Sequence, residues 1–112
     1  MNFLELAKKR YAVRKYTAQP VEPEKVRQIL EAGRVAPTGG NLQPQRLIVV
    51  QQREGLAKLR KAANIYQAPL AVIVCTDTTQ TWTRPQDGKK LTDIDASIVT
   101  DHMMLQATEL GL

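Results

Sequence analysis

A small domain of mixed helix and strand is what this sequence predicts, from three observations. Two continuous apolar runs, LIVV within Arg46–Gln51 and LAVIVCT at Leu70–Thr76, have the length and flanking breakers of strands. Helical spacing of apolar residues alternates with these runs along the chain. The third is length: 112 residues, 43% of them apolar, suffice for one small domain with a modest core and are too few for two.

Taken in order, Asn2 can cap a first helix, with Glu5 three residues on approximating a capping box and Phe3, Leu4, Leu6 and Ala7 giving an apolar side. RYAVRKYT, from Arg10 to Thr17, alternates bulky or apolar residues with basic ones and reads as an extended segment holding Arg10 and Arg14 on one side. Pro23 opens a helix to about Val35 through Val26, Ile29, Leu30 and Gly33. APTGG breaks that pattern at 36–40, and NLQPQ leads into the first strand. Glu54–Ala63 reads as a helix packed through Leu56 and Leu59. The second strand, apolar throughout, is expected to be covered on both faces. Asp77–Lys90, rich in Thr, Asp, Gly and Pro, reads as a long surface loop holding Trp82. From about Leu91 a last helix repeats Leu91, Ile98, Leu105 and Leu112 every seven residues, joined by Ile94, with Gly111 as its stop. Two strands rarely make a stable sheet alone, so the sheet is expected to be completed by a partner subunit or by a further part of the protein.

Composition narrows the function classes. The charged fraction is 24%, without acidic or basic blocks, which describes globular sequence. Aromatics at 4% argue against a nucleic-acid platform built on base stacking. No run approaches the roughly 18 apolar residues of a membrane span, and MNFLELAKKR is an amphipathic helix start unlike a secretory signal. The expectation is therefore no nucleic acid, no membrane and a cytoplasmic location. One cysteine, Cys75, and one histidine, His102, supply neither an internal disulfide nor a structural zinc site. Ser97 is the only serine and His102 has no nucleophile beside it, so a hydrolytic triad has little material. The net charge of +5 points to an anionic partner, which composition alone leaves open between nucleic acid, an anionic lipid surface and a small phosphorylated ligand.

Two pieces carry chemistry: Arg10-x-Ala12-x-Arg14 and Ala36-Pro37-Thr38-Gly39-Gly40-Asn41-Leu42-Gln43-Pro44. Two guanidiniums on one side of an extended segment can grip a phosphate through charge-assisted bonds. The glycine pair permits close backbone approach to a flat ligand, and the Asn41 and Gln43 amides both donate and accept toward a heterocycle edge. Phosphate plus heterocycle indicates a nucleotide.

With these residues in view, KRYAVRKYTAQPVEPEKVRQILEAGRVAPTGGNLQPQRLIVV resembles the opening of the nitroreductase family of FMN-dependent flavoproteins. That family's pattern is Arg-x-Ser-x-Arg, a Pro-Val turn and helix, then Ala-Pro-Ser-x-x-Asn-x-Gln-Pro. QAPLAVIVCTD is similar to its central strand, and LTDIDASIVTDHMMLQATELGL to its long core helix ending in Leu-Gly-Leu. The resemblance covers essentially all of the chain as a single domain, residues 1–112.

The resemblance implies an α+β nitroreductase-like fold, a central mixed or antiparallel sheet flanked by helices, incomplete in this chain. It also implies an intertwined homodimer with FMN at the subunit interface. Arg10 and Arg14 would hold the FMN phosphate and ribityl side, with Arg14 near the pyrimidine edge, where positive charge favours the reduced anionic flavin. Ala12 stands in the same motif. Pro37, Thr38, Gly39 and Asn41 would come from the other subunit, with Gln43 a weaker member. The implied activity passes reducing equivalents from NAD(P)H through flavin to a small-molecule electron acceptor, a nitroaromatic, quinone or similar compound. No protein residue is expected to act as a nucleophile, so no catalytic side chain and no metal ligand are assigned.

The chain departs from the pattern at Ala12, which loses a hydroxyl donor worth about 1 kcal/mol, at Thr38, which keeps one, and at Gln45, where an aromatic commonly follows Gln-Pro. Family members run well past Leu112, and the part beyond should supply further core strands, the flavin N5 contact, another basic phosphate contact and an arm that wraps the partner. Elsewhere the plain readings hold: His102 as a helix-packing or surface histidine, Cys75 as a buried small hydrophobe, Trp82 as cover for apolar surface, and Asp93, Asp95 and Asp101 as a helix N-terminus and solvated face. Two function classes follow, an FMN-dependent oxidoreductase and a noncatalytic flavin- or nucleotide-binding or dimerisation module of the same fold.

Overall fold

A computed structural model describes residues 1–112, in the order α1 (Phe3–Lys9), α2 (Pro23–Arg34), a 3-10 turn (Gly39–Asn41), β1 (Gln45–Val50), α3 (Arg53–Ala62), β2 (Ala71–Thr76) and α4 (Thr92–Glu109). Four helices and two strands are the elements expected, with bounds moved by a residue or so. Local chemistry explains where they start and stop. Asn2 Oδ1 accepts from the Glu5 amide at 2.9 Å and Glu5 returns the bond to the Asn2 amide at 3.1 Å, completing the capping box of α1. Pro23 sits in the first turn of α2, whose outer face carries the Glu24–Arg27 and Glu31–Arg34 ion pairs. Those hydrogen-bonded guanidiniums hold both carboxylates below their ordinary range. α4 ends where Gly111 takes φ +80°, letting its amide reach Thr108 O and the Leu112 amide reach Ala107 O, both at 3.0 Å.

The strands pair antiparallel, Gln45 opposite Thr76 through Val50 opposite Ala71. One face, with Leu47, Val72 and Val74, packs on the core formed by Ile29 and Ala36 with Val99 and Met103 of α4. The opposite face corrects the expectation of cover on both sides. Ile48 and Ile73, cross-strand partners in this register, remain 51% and 37% exposed, because α4 lies on the other face and the helical cover here is only partial.

A second correction concerns α4. The heptad row Leu91, Ile94, Ile98, Leu105 and Leu112 is not its buried stripe; Ile94 and Leu112 are exposed, and Leu91 precedes the helix. Burial falls instead on Asp95, Val99 and Met103, a strict i, i+4 row. α4 packs against α2, β2, α1 and β1, so its apolar residues are spread around the axis. Gly33 of α2 packs tightly on it, since a Cβ there would lie 2.9 Å from Met103 Sδ and 3.2 Å from Leu47 Cδ1. α1 is less buried than its sequence predicts, with Phe3 and Leu4 exposed and only Leu6 and Ala7 half-covered.

The accessible surface is 7823 Å², against about 6,200 Å² for a compact monomer of this size. The radius of gyration is 15.2 Å, where about 13 Å is usual. Val99 has no exposed surface at the centre of the core, so Val99→Ala should lower unfolding free energy by about 2 kcal/mol, read as a lower urea midpoint with an unchanged slope.

Candidate functional site

Between α2 and β1 the chain makes a tight loop whose backbone is set by composition. Thr38 is extended, the 3-10 turn follows, and the Asn41 amide donates to Thr38 O at 2.9 Å while Leu42 reaches Gly39 O at 3.2 Å. Gly40, Asn41 and Gln43 take φ of +58°, +54° and +52°. Glycine does this freely and asparagine comparatively readily, but Gln43 carries a full side chain in a region costing on the order of 1 kcal/mol or more. The Thr38 hydroxyl accepts from the Gln43 amide at 3.0 Å and so clasps the loop across its base, and Pro44 is buried beneath it.

Two neighbours fix the loop from the protein side. Asp95 Oδ1 accepts from the Gly39 amide at 3.0 Å, and Asp95 is 1% exposed. This corrects the reading of Asp95 as part of a solvated face; only Asp93 and Asp101 are exposed. Asp95 stands four residues before Val99, on the row of α4 that the structure turns inward; nothing in the sequence singled that row out. The second neighbour is apolar. A Cβ on Gly39 would fall 2.6 Å from Leu91 Cδ1 and 3.2 Å from Trp82 Cβ, and one on Gly40 would meet Trp82 Cδ1 at 3.1 Å. The glycine pair therefore makes room for Leu91 and Trp82, a reason that the motif alone did not disclose. Trp82 is tied in further by its carbonyl, which accepts from the Leu91 amide at 3.1 Å.

The outer side of the loop carries amides. Asn41 Oδ1 accepts from Gln43 Nε2 at 3.2 Å, and both side chains are exposed. Asn41 Nδ2 and Gln43 Oε1 make no hydrogen bond within the chain, so the pair presents one donor and one acceptor side by side. Pro37 is exposed next to them. The structure thus brings together Pro37, Thr38, Gly39, Asn41 and Gln43.

Arg10, Ala12 and Arg14 lie on the extended segment between α1 and α2, which pairs with no strand. Tyr11, Val13 and Lys15 line a groove against Val72, Val74 and Met103, while Arg10, Ala12 and Arg14 are absent from its walls, the alternation that the sequence predicts. Neither arginine forms an ion pair, and no hydrogen bond joins this set to the 37–43 loop.

The 77–90 loop is pinned by its own polar groups. Asp77 accepts from the Thr79 hydroxyl and amide, which together with Arg46 hold its carboxyl below the ordinary range. Asp87 is lowered by the Arg84 guanidinium and then by the Lys89 amide. His102 is partly buried with Nδ1 unpartnered, and Cys75 on β2 is a half-buried free thiol. No group of three or more histidine, cysteine or acidic residues could hold a metal ion, and no helix is long and apolar enough to cross a membrane.

Because Trp82 is the chain's one tryptophan and rests on the glycine pair, it reports on the loop. Gly39→Val should move Trp82 emission to longer wavelength as the loop lifts from Leu91, and adding Leu91→Ala should reverse much of that shift.

The architecture and loop have counterparts of known structure. A nitroreductase family protein from Clostridium difficile 630 is 68% identical and superposes with a TM-score of 0.96, covering 99% of this chain and 64% of its own. A nitroreductase with bound FMN from Bacteroides fragilis is 25% identical, TM-score 0.80, covering 99% of this chain and 67% of its own. An FMN reductase [NAD(P)H] from Bacillus subtilis is 37% identical over 70 residues, 59% of this chain and 28% of that protein. The chain spans 28% to 63% of the length of such curated relatives. The model of the nitroreductase family matches residues 7–65, which hold both the arginine segment and the glycine-pair loop. With that match over half of the sequence and an α+β frame that superposes on a family structure throughout, the chain belongs to the nitroreductase family.

Proposed function

We propose that this chain is part of an FMN-dependent NAD(P)H oxidoreductase, and that its 37–43 loop and Arg10–Arg14 segment are two portions of the flavin site. The observation that carries this reading is the exposed Asn41–Gln43 amide pair on a loop already held in a left-handed conformation. A flavin's pyrimidine edge alternates donors and acceptors, and the free Nδ2 of Asn41 and Oε1 of Gln43 match that alternation. Arg10 and Arg14, without carboxylate partners, are available to a phosphate. The donor set fits the cofactor.

When bound, FMN supplies the hydride and electron chemistry between NAD(P)H and an electron-poor acceptor such as a nitroaromatic or quinone. The protein's part is binding and orientation. Arg10 and Arg14 neutralise the phosphate and bias the potential near the ring, with Ala12 between them contributing backbone only. Pro37 packs, while Thr38, Gly39 and Asn41 fix the loop and its hydrogen-bonding edge. Gln43 holds Asn41 in place.

Because the two sets share no hydrogen bond in one chain, the reading assigns them to different protomers of a homodimer with FMN at the interface. The surplus of exposed surface supports an extensive interface, as do the groove beside Tyr11 and Tyr16 and the open Ile48–Ile73 pair. The reading treats residues 1–112 as belonging to one domain. It places the protein in the cytoplasm, where a lone thiol such as Cys75 stays reduced.

Purified protein should be yellow, or become so with FMN, with a flavin band that NAD(P)H bleaches under anaerobic conditions. Protein that stays colourless after incubation with FMN would overturn the reading. Arg14→Ala should weaken FMN binding roughly tenfold or more, as loss of a charge-assisted bond predicts, measured by quenching of flavin fluorescence. Unchanged affinity would remove Arg14 from the site.

A further inference from the structure

Asp95 is an unusual residue to find buried near the start of a helix. It is 1% exposed, its Oδ2 is buried without a hydrogen-bond partner, and its only side-chain bond, through Oδ1, goes to the Gly39 amide 56 positions away in sequence. A buried carboxyl group with one oxygen left unpartnered is a poor way to stabilise a core, and an aliphatic side chain would fill the same helical position without that desolvation. What an aliphatic side chain cannot do is accept the Gly39 amide.

That amide opens the turn carrying Gly40, Asn41 and Gln43, all at positive φ. Leu91 and Trp82 press on the same two glycines, but apolar contact has no direction and leaves the loop free to slide. A single directed bond from the first turns of α4 supplies the register.

We propose that Asp95 is a positioning residue for the cofactor loop. By accepting from Gly39, it sets the left-handed turn that points the Asn41–Gln43 amide pair outward. It touches neither cofactor nor substrate and acts only through the loop. The functional half of this inference rests on the flavin reading above; the anchoring half does not.

The test therefore begins without flavin. In the unmodified protein the Gly39 amide should be strongly protected from hydrogen exchange, and exchange as fast as an open loop amide would overturn the proposal even if no variant folds. Asp95→Ala should speed exchange of the 38–43 amides at least tenfold while leaving those of α2, β1 and β2 within about twofold. Asp95→Asn keeps an oxygen acceptor at the same place and should restore most of the protection.

A merely structural role would raise exchange across the whole chain in both variants, and that result would overturn the proposal. With FMN, Asp95→Ala should raise the dissociation constant about tenfold and Asp95→Asn less than threefold. Equal affinity in Asp95→Ala and the unmodified protein would also sink it. Should the unmodified protein bind no FMN, the flavin reading fails, and the anchor stands or falls on Gly39 exchange alone.

Discussion

The inward row of α4, Asp95, Val99 and Met103, is the constraint around which the other elements arrange themselves. Each residue of that row meets a different neighbour. Met103 fills the space that Gly33 leaves on α2, in the core against which Leu47 of β1 packs. Val99 closes the core with Ile29 and Ala36. Asp95 reaches the loop between α2 and β1. A helix with one neighbour could not do this; α4 packs against α2, β2, α1 and β1, and its side chains divide the work by direction.

From that row the loop inherits its rigidity. Backbone at positive φ is unfavourable for Asn41 and more so for Gln43, and it persists because neighbours over-determine it. The Thr38 hydroxyl spans the loop, the Asp95 carboxylate holds its first amide, and Leu91 and Trp82 pack beneath its glycines. Side chains on a loop fixed in this way would lose little further freedom on binding a ligand. The Arg10–Arg14 segment is the opposite case, extended, without a ladder and with its guanidiniums unpaired. Its order would come from what it binds and from the surface it lies against.

The surface tells the same story as the loop. A cross-strand isoleucine pair lies open on one face of a two-stranded sheet, and a groove lined by Tyr11, Val13 and Met103 lies open on the other side. Such faces are ordinary at subunit contacts and in folds whose sheet continues. They agree with a chain that spans only part of the length of its relatives.

Much of the fold was legible in the sequence by itself, because it depends on local chemistry. Asn2 with Glu5, Pro23, Gly111 and the two apolar runs each act within a few residues, and all the elements they announce are present. The two motifs were legible for the same reason, as short strings of arginines and of amide-bearing residues at fixed spacing. Tertiary structure alone decided which row of α4 turns inward, since a seven-residue repeat and an i, i+4 row are both available on one helix and only the neighbours choose between them. It also decided why Gly39 and Gly40 are glycines, because the atoms they make room for, in Leu91 and Trp82, lie some forty to fifty positions further on. Asp95 belongs with these: an acidic residue near a helix start reads as solvated until a distant amide is placed against it, and no local pattern encodes that meeting.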